Sequence, residues 1–409
     1  MRRLTSPAVP FFVSVVSHSG FQKGVTVRVI GIGAATLLWC FLATPVQGED
    51  RPPESSAAAD TGAATSLLTA AEWKRLDDAV DRGLEFLSRS QRRDGSFETL
   101  GTGQPGVTSL CVMAFLSRGH LPDQGPYGKR LGRAVDFVLA TQQKSGVFSY
   151  IAHNTSPEAG HAALYNHAMT GLMLSEVYGM TESDRQDQIR TALTKAIAFA
   201  RMTQRIPKHD RRDTGGWRYL SPRNRNYSDM SVTSWFLMFY RSARNAEFDV
   251  PQQYVDDAMS YVRRCFYRRK RAFVYRINSA NTSRSLRRGV VGSGIVALSL
   301  AGEHQTKTAQ LAGDWILDAD FKQYNRTPHK KDRYHYSAFY CSQAMFHLGG
   351  EYWTKFYPEL MDVLITNQRA NGSWDAEALH DTMYGNVYTS ALTVLALTPP
   401  YQLLPIYQR

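Results

Sequence analysis

Phe86-Leu87-Ser88-Arg89-Ser90-Gln91-Arg92-Arg93-Asp94-Gly95-Ser96-Phe97 closes a charged, half-apolar run with a glutamine, then sets a glycine four and an aromatic six residues beyond it. The spacing recurs at Gln142, Gly146 and Phe148, and again at Gln368, Gly372 and Trp374. Phe199 to Gln204 repeats it with an insertion before Gly215-Gly216-Trp217. Two degenerate copies put Phe266 and Asp320 where the glutamine would stand. Each part has a physical use. A glutamine at a helix C-terminus can bond exposed carbonyls or the neighbouring repeat's helix, the glycine supplies the positive φ of the helix stop, and the aromatic packs between repeats.

The markers at 91, 142, 204, 266, 320 and 368 are separated by 51, 62, 62, 54 and 48 residues, room for two helices and two loops. Each marker ends a helix with charge on one face, such as Glu85, Arg89 and Arg92; that pattern belongs on the outside. Each is followed by a more uniformly apolar run, at 107–116, 168–177, 232–240, 289–300, 338–348 and 387–397, which belongs inside. The alternation predicts an all-α fold, a closed (α/α)6 toroid of six inner and six outer helices, in one domain over residues 76–409.

Composition agrees with a globular chain, at 43% hydrophobic and 21% charged. Cys40, Cys111, Cys265 and Cys341 contain no C-x-x-C pair, which argues against a disulfide framework or a cysteine-rich zinc site. Residues 29–42 are apolar behind Arg28 and lead to Thr44-Pro45-Val46-Gln47-Gly48. This reads as a signal peptide or N-terminal anchor over 1–48, with a linker rich in Ala, Ser, Pro and Thr over 49–75. The protein is therefore expected to be exported, periplasmic or extracellular, or held at the membrane by that segment. Of the net charge of +12, four positive charges precede the first acid, and residues 263–288 hold ten Lys or Arg and no acid. Arg263 to Arg288 could thus meet anionic lipid or acidic polysaccharide, or be a solvated face; nucleic acid is not expected as a partner.

The Gln–Gly–aromatic copies resemble the QW motifs of squalene–hopene cyclase and other class II terpenoid cyclases, whose toroid is shared with protein prenyltransferase beta subunits. The resemblance covers nearly the whole chain after the linker, and the exported form is similar to prenyltransferase/squalene-oxidase-repeat proteins of planctomycete type. It implies where to look for chemistry. Cyclases protonate an alkene from an Asp-x-Asp-Asp-Thr acid at the start of an inner helix. The matching stretch here, Asp229-Met230-Ser231-Val232-Thr233, has Val232 at the acid position. Prenyltransferases bind zinc through Asp-x-Cys and a later His; Ser231 replaces the thiol, while Asp332-Arg333-Tyr334-His335 resembles the later element. With both parts changed, the resemblance implies neither metal nor cofactor here. The thioester motif of complement proteins on the same fold fails on spacing at Cys341-Ser342-Gln343.

Asp229, Tyr227, His335 and Tyr336 are the catalytic candidates, because an acid, an imidazole and phenols would converge on one mouth of the barrel. Thr233, Trp235, Asp381, Tyr384 and Tyr388 are the candidate ligand-binding residues beside them. Aligning the inner helices puts Thr108, Thr170, Thr233, Ser293, Tyr340 and Thr389 in equivalent places, where helix capping would also favour hydroxyls. The expected role is binding of an isoprenoid-like or other apolar ligand, or of a protein partner. The alternatives are a divergent cyclase or transferase, and a glycan-acting lyase or hydrolase using Asp229 with Asp381 or Tyr336 with His335.

Overall fold

The computed structural model describes residues 67–277, 286–328, 331–378 and 382–407; the N-terminal expectations, Cys40 and Asp381 lie outside them. The described chain runs as six helical pairs. The outer helices are α1 (Ala70–Arg89), α3 (Gly128–Ala140), α5 (Ser183–Gln204), α7 (Gln252–Arg264), α9 (Lys307–Leu317) and α11 (Gly350–Thr366). The inner helices are α2 (Gly106–Leu116), α4 (Pro157–Val177), α6 (Met230–Asn245), α8 (Arg288–Leu300), α10 (Tyr334–Leu348) and α12 (Gly385–Leu397). Each inner helix packs on the next, and α12 returns to α2, so the ring is closed as expected. Among the described residues no helix is long and apolar enough to cross a membrane.

Burial follows the sequence pattern. In α1 one stripe is buried, including Leu76, Val80, Leu84 and Leu87, the i, i+4 spacing of an amphipathic surface helix. Every residue of α2 is buried, and the neighbouring inner helices are nearly so. Two helices start earlier than the apolar pattern indicates. α1 begins at Ala70, inside the stretch 49–75 read as a linker, because Thr69 and Glu72 form a reciprocal capping box. α4 begins at Pro157, where Ser156 accepts from the Ala159 N–H at 3.1 Å and proline fills the first turn.

The glutamines do what their position predicts, four times. Gln91 Nε2 donates to the Gly95 carbonyl at 3.0 Å and to the Arg130 carbonyl of the next outer helix at 2.8 Å. Gln142 reaches Gly146 and Ala192 at 3.1 and 2.8 Å, and Gln204 reaches Gly215 and Tyr254 at 2.8 Å each. Gln368 reaches Gly372 and, across the seam of the ring, Ala79 of α1, both at 2.9 Å. The glycine is obligatory for two reasons at once. Gly215 has φ +93°, and a Cβ there would stand 2.1 Å from the Asp257 carbonyl oxygen. The aromatic is pinned by its backbone: the N–H groups of Phe97, Phe148, Trp217 and Trp374 donate to Thr108, His167, Thr233 and Ser390 on the inner helices. Two of the aligned hydroxyl positions are therefore off register, Thr170 for His167 and Thr389 for Ser390.

The degenerate repeats use other devices. At marker 266 a two-residue hairpin, β1 (Phe266–Tyr267) and β2 (Ala272–Phe273), takes over. At marker 320 the missing glutamine is replaced by Arg288, which donates to the Asp320 and Arg326 carbonyls and pairs with buried Asp332 at 2.6 Å. At the end where inner helices finish, the C-terminal segment packs Leu404 and Ile406 into the core. The Ile406 N–H donates to Glu176 of α4 at 3.2 Å.

Candidate functional site at the barrel mouth

The inner helices all begin at one end, and there a cavity of about 710 Å³ opens. Asp229 sits behind its wall as the N-cap of α6, with no exposed surface. Oδ1 accepts from the Val232 N–H and the Ser231 hydroxyl, both at 2.9 Å. Oδ2 accepts from the Tyr275 hydroxyl at 3.2 Å and faces Arg218 Nη1 at 3.4 Å. Every neighbour of the carboxylate is a donor or a cation, an arrangement that pairs a buried charge instead of leaving it orphaned.

Two hydroxyl chains run from the cavity to this carboxylate. Tyr165 meets the Ser231 hydroxyl at 2.5 Å, and Ser231 donates to Asp229. Tyr219 meets the Tyr275 hydroxyl, and Tyr275 donates to Asp229. His161 stacks on Tyr219 at 3.7 Å between ring centroids. Burial, with the Asp229 charge adding to it, pushes the phenols of Tyr165 and Tyr275 well above the ordinary tyrosine range. The Arg218 guanidinium lies 4.6 Å from the Tyr219 ring centroid and 5.4 Å from that of Tyr275; Arg287 lies 3.8 Å from Tyr275.

The structure brings some of the expected residues together and sends others away. Ser231, Tyr336, Tyr384 and Tyr388 line the cavity with Tyr165, Tyr219 and Tyr275. His335 does not: its Nδ1 lies 2.9 Å from the Thr393 hydroxyl, so it faces α12, and burial drives its pKa down to about 3. Tyr227 is also off the cavity, with its ring 5.1 Å from His209 and the Arg276 guanidinium over it at 5.4 Å. Thr233 holds the Trp217 turn through its hydroxyl at 3.1 Å and is buried. Trp235 is buried and stacked on Phe339 at 5.4 Å, and with Met238 and Tyr340 it packs between α6 and α10, while Phe239 packs against His167 of α4. A prenyltransferase-type zinc site does not fit, since the Ser231 hydroxyl is spent on Asp229 and His335 points elsewhere.

Arg218, Tyr219, Tyr275 and Arg287 are the wall residues that sequence reasoning missed. A signal existed for the first two: they follow Trp217, and the chain leaving each Gln–Gly–aromatic turn heads for the mouth. Among the described residues of the basic stretch from Arg263 to Arg288, several of the cations are engaged. Arg263 pairs with Glu303 and Arg264 donates to the Arg212 and Thr214 carbonyls, while Arg288 is buried. Arg268, Arg269, Lys270 and Arg271 stay exposed at the hairpin tip.

No known family's sequence profile matches this chain, and no characterised protein matches it by sequence. Solved structures do. The type II terpene cyclase MstE from Scytonema, in a variant bound to geranylgeranyl dihydroxybenzoate, superposes with a TM-score of 0.53 at 14% identity, over 82% of this chain and all of that one. A variant of the same cyclase bound to merosterolic acid A gives 0.51 at 15% identity, over 81% of this chain and 100% of that one. An alpha-amylase from Clostridium perfringens gives 0.50 at 10% identity, over 79% of this chain and 97% of that one. At such identities the likeness speaks to the fold. With the closed ring of six inner and six outer helices, it shows an α/α toroid, a fold this chain shares with that terpene cyclase and that alpha-amylase.

Proposed function

We propose that the protein binds an elongated, largely apolar ligand of isoprenoid type in the mouth cavity, and that Asp229 braces the cavity wall instead of protonating an alkene. The observation that carries this reading is the cavity itself. Its volume of about 710 Å³ is within the roughly 300–1,000 Å³ of small-molecule sites, and six tyrosines give it aromatic faces over which an unsaturated chain can lie. The cyclase neighbour's isoprenoid substrate supports the ligand class. Both Asp229 oxygens are engaged within the wall, Oδ1 by the Val232 N–H and the Ser231 hydroxyl and Oδ2 by the Tyr275 hydroxyl. Val232, at the position of the cyclase acid, is an apolar side chain in the core. The apolar run after Arg28 supports placing the protein outside the cytoplasm.

One observation favours a second reading. The phenols of Tyr165 and Tyr219, each wired through a hydroxyl to Asp229, would suit acid–base work on a glycan. Native mass spectrometry of protein purified from its own host separates the two, followed by titration with geranylgeraniol and with neutral and acidic oligosaccharides. A co-purified lipid, or saturable geranylgeraniol binding lost in Tyr336→Ala, supports the first reading. Binding or turnover of an oligosaccharide alone overturns it.

A further inference from the structure

We propose that the mouth end of the ring is a docking surface for an acidic polysaccharide, which lies across the two connections 205–229 and 265–287. The surface is independent of what the cavity holds.

The charge of the ring is divided between its ends. Six connections lead from an outer helix into the next inner one, and so lie at the mouth. Among the described residues they hold 21 Lys or Arg and 10 Asp or Glu. The connections and C-terminal segment at the other end hold one cation, Arg118, against five acids. A field of that shape turns the mouth toward a polyanion during approach. Within the mouth, 205–229 and 265–287 carry 13 of the cations and three of the acids. The two connections are neighbours in space. The Tyr219 and Tyr275 hydroxyls meet, the Met230 N–H donates to the Tyr275 carbonyl, and Arg264 donates to the Arg212 and Thr214 carbonyls.

The three acids do not neutralise this patch. Asp210 pairs with Arg212, Asp229 pairs with Arg218, and Asp213 is buried. Arg268, Arg269, Lys270 and Arg271 are exposed at the hairpin tip, as are Arg223 and Arg225 on the neighbouring connection, and none of these six has an acid partner among the described residues. The hairpin beneath the four is fixed by the Phe266–Phe273 ring pair at 5.2 Å and by the Val274 N–H donating to the Cys265 carbonyl at 2.9 Å. Only side chains must therefore be ordered on binding. The chemistry of the patch selects the partner. Arginine supplies 11 of the 13 cations, and its fork takes a carboxylate or sulfate at two points. Neither connection exposes a large hydrophobic residue; Leu100, Tyr150 and Met383 lie on other connections. A bilayer-binding surface adds apolar side chains that enter the lipid, and a single-stranded nucleic acid wants aromatic platforms. A polar chain with an acid group in each repeat requires neither. The apolar run after Arg28 supports an encounter outside the cytoplasm.

The test is biolayer interferometry of the full chain against polygalacturonate, dextran sulfate, neutral dextran, phosphatidylserine vesicles and duplex DNA. The two acidic polysaccharides should bind saturably and more weakly as salt rises, and neutral dextran should not bind. Replacing Arg268, Arg269, Lys270 and Arg271 together with glutamine should weaken binding about tenfold or more at low salt. Replacing Lys129, Arg241, Arg244 and Lys307 with glutamine removes the same charge from exposed positions at the other end, and should change it by less than about twofold. Thermal melts of both variants show that each is folded. No binding of either acidic polysaccharide, equal losses in the two variants, or tighter binding of the vesicles or the DNA overturns the proposal. Geranylgeraniol titration reads the cavity separately. Its failure beside tip-dependent polysaccharide binding sinks the isoprenoid reading and leaves this surface standing.

Discussion

Replacing Glu176 with glutamine should make the protein more stable above neutral pH and leave it unchanged in acid. Glu176 is almost wholly buried where α4 ends, accepting from the Ser242 hydroxyl and the Ile406 N–H. Burial raises its pKa from 4.5 to about 7, the two hydrogen bonds opposing part of that rise. A carboxyl with a raised folded pKa holds more protons native than unfolded between those two values, so stability falls as pH climbs through that window and is level above it. The gap of about 2.5 units between 4.5 and 7 corresponds to about 3 kcal/mol at pH 8. Glutamine keeps both contacts, because its carbonyl accepts from Ile406 while its amide donates to a turned Ser242 hydroxyl. Urea unfolding followed by tryptophan fluorescence at pH 4.5, 6 and 8 should show the variant's advantage appearing between the first and last of these. A difference independent of pH, or a variant less stable at pH 8, would refute the reasoning.

Gly215→Ala should cost about 3 kcal/mol or more, because it adds a clash to a positive φ, whereas Gly302→Ala, with φ +76° and open space around it, should cost only about 1; thermal melts compare them. Gln368→Ala removes the bond across the ring seam to Ala79 and the one to its own turn at Gly372, and should cost about 2 kcal/mol, with hydrogen exchange rising first in α1 and α11. Asp229→Asn keeps the cap on Val232 but strands the Arg218 charge, so it should destabilise by about 3 kcal/mol. A loss below about 1 kcal/mol in chemical denaturation would show that the carboxylate is not structural.

The ring was legible in the sequence because its key contacts are local. Gln91, Gly95 and Phe97 sit within seven residues, and the bond each glutamine makes to its own turn uses that spacing. The mouth was less legible, because its wall is assembled from segments far apart in the chain: Tyr165 from α4, Arg218 and Tyr219 from a loop, Tyr275 after the hairpin. No periodicity links such positions. Asp229 was found because an N-cap has a local signature. His335 and Tyr336 were paired wrongly for a geometric reason. Neighbours on a helix point about 100° apart, so when Tyr336 faces the cavity His335 must face α12. Tyr227 precedes the helix, and its ring folds back on its own loop near His209.

The bond from Gln368 to Ala79 joins positions 289 residues apart. Ribosomes add on the order of 5–20 residues per second, so about 15–60 s separate the synthesis of those two partners. Through that interval the flank of α1 that will receive α11 and α12 has no mate. The first helical pair is thus made early but sealed last, and its exposed apolar stripe is what a chaperone would meet on the nascent chain. A protein built as a ring commits its beginning to waiting for its end.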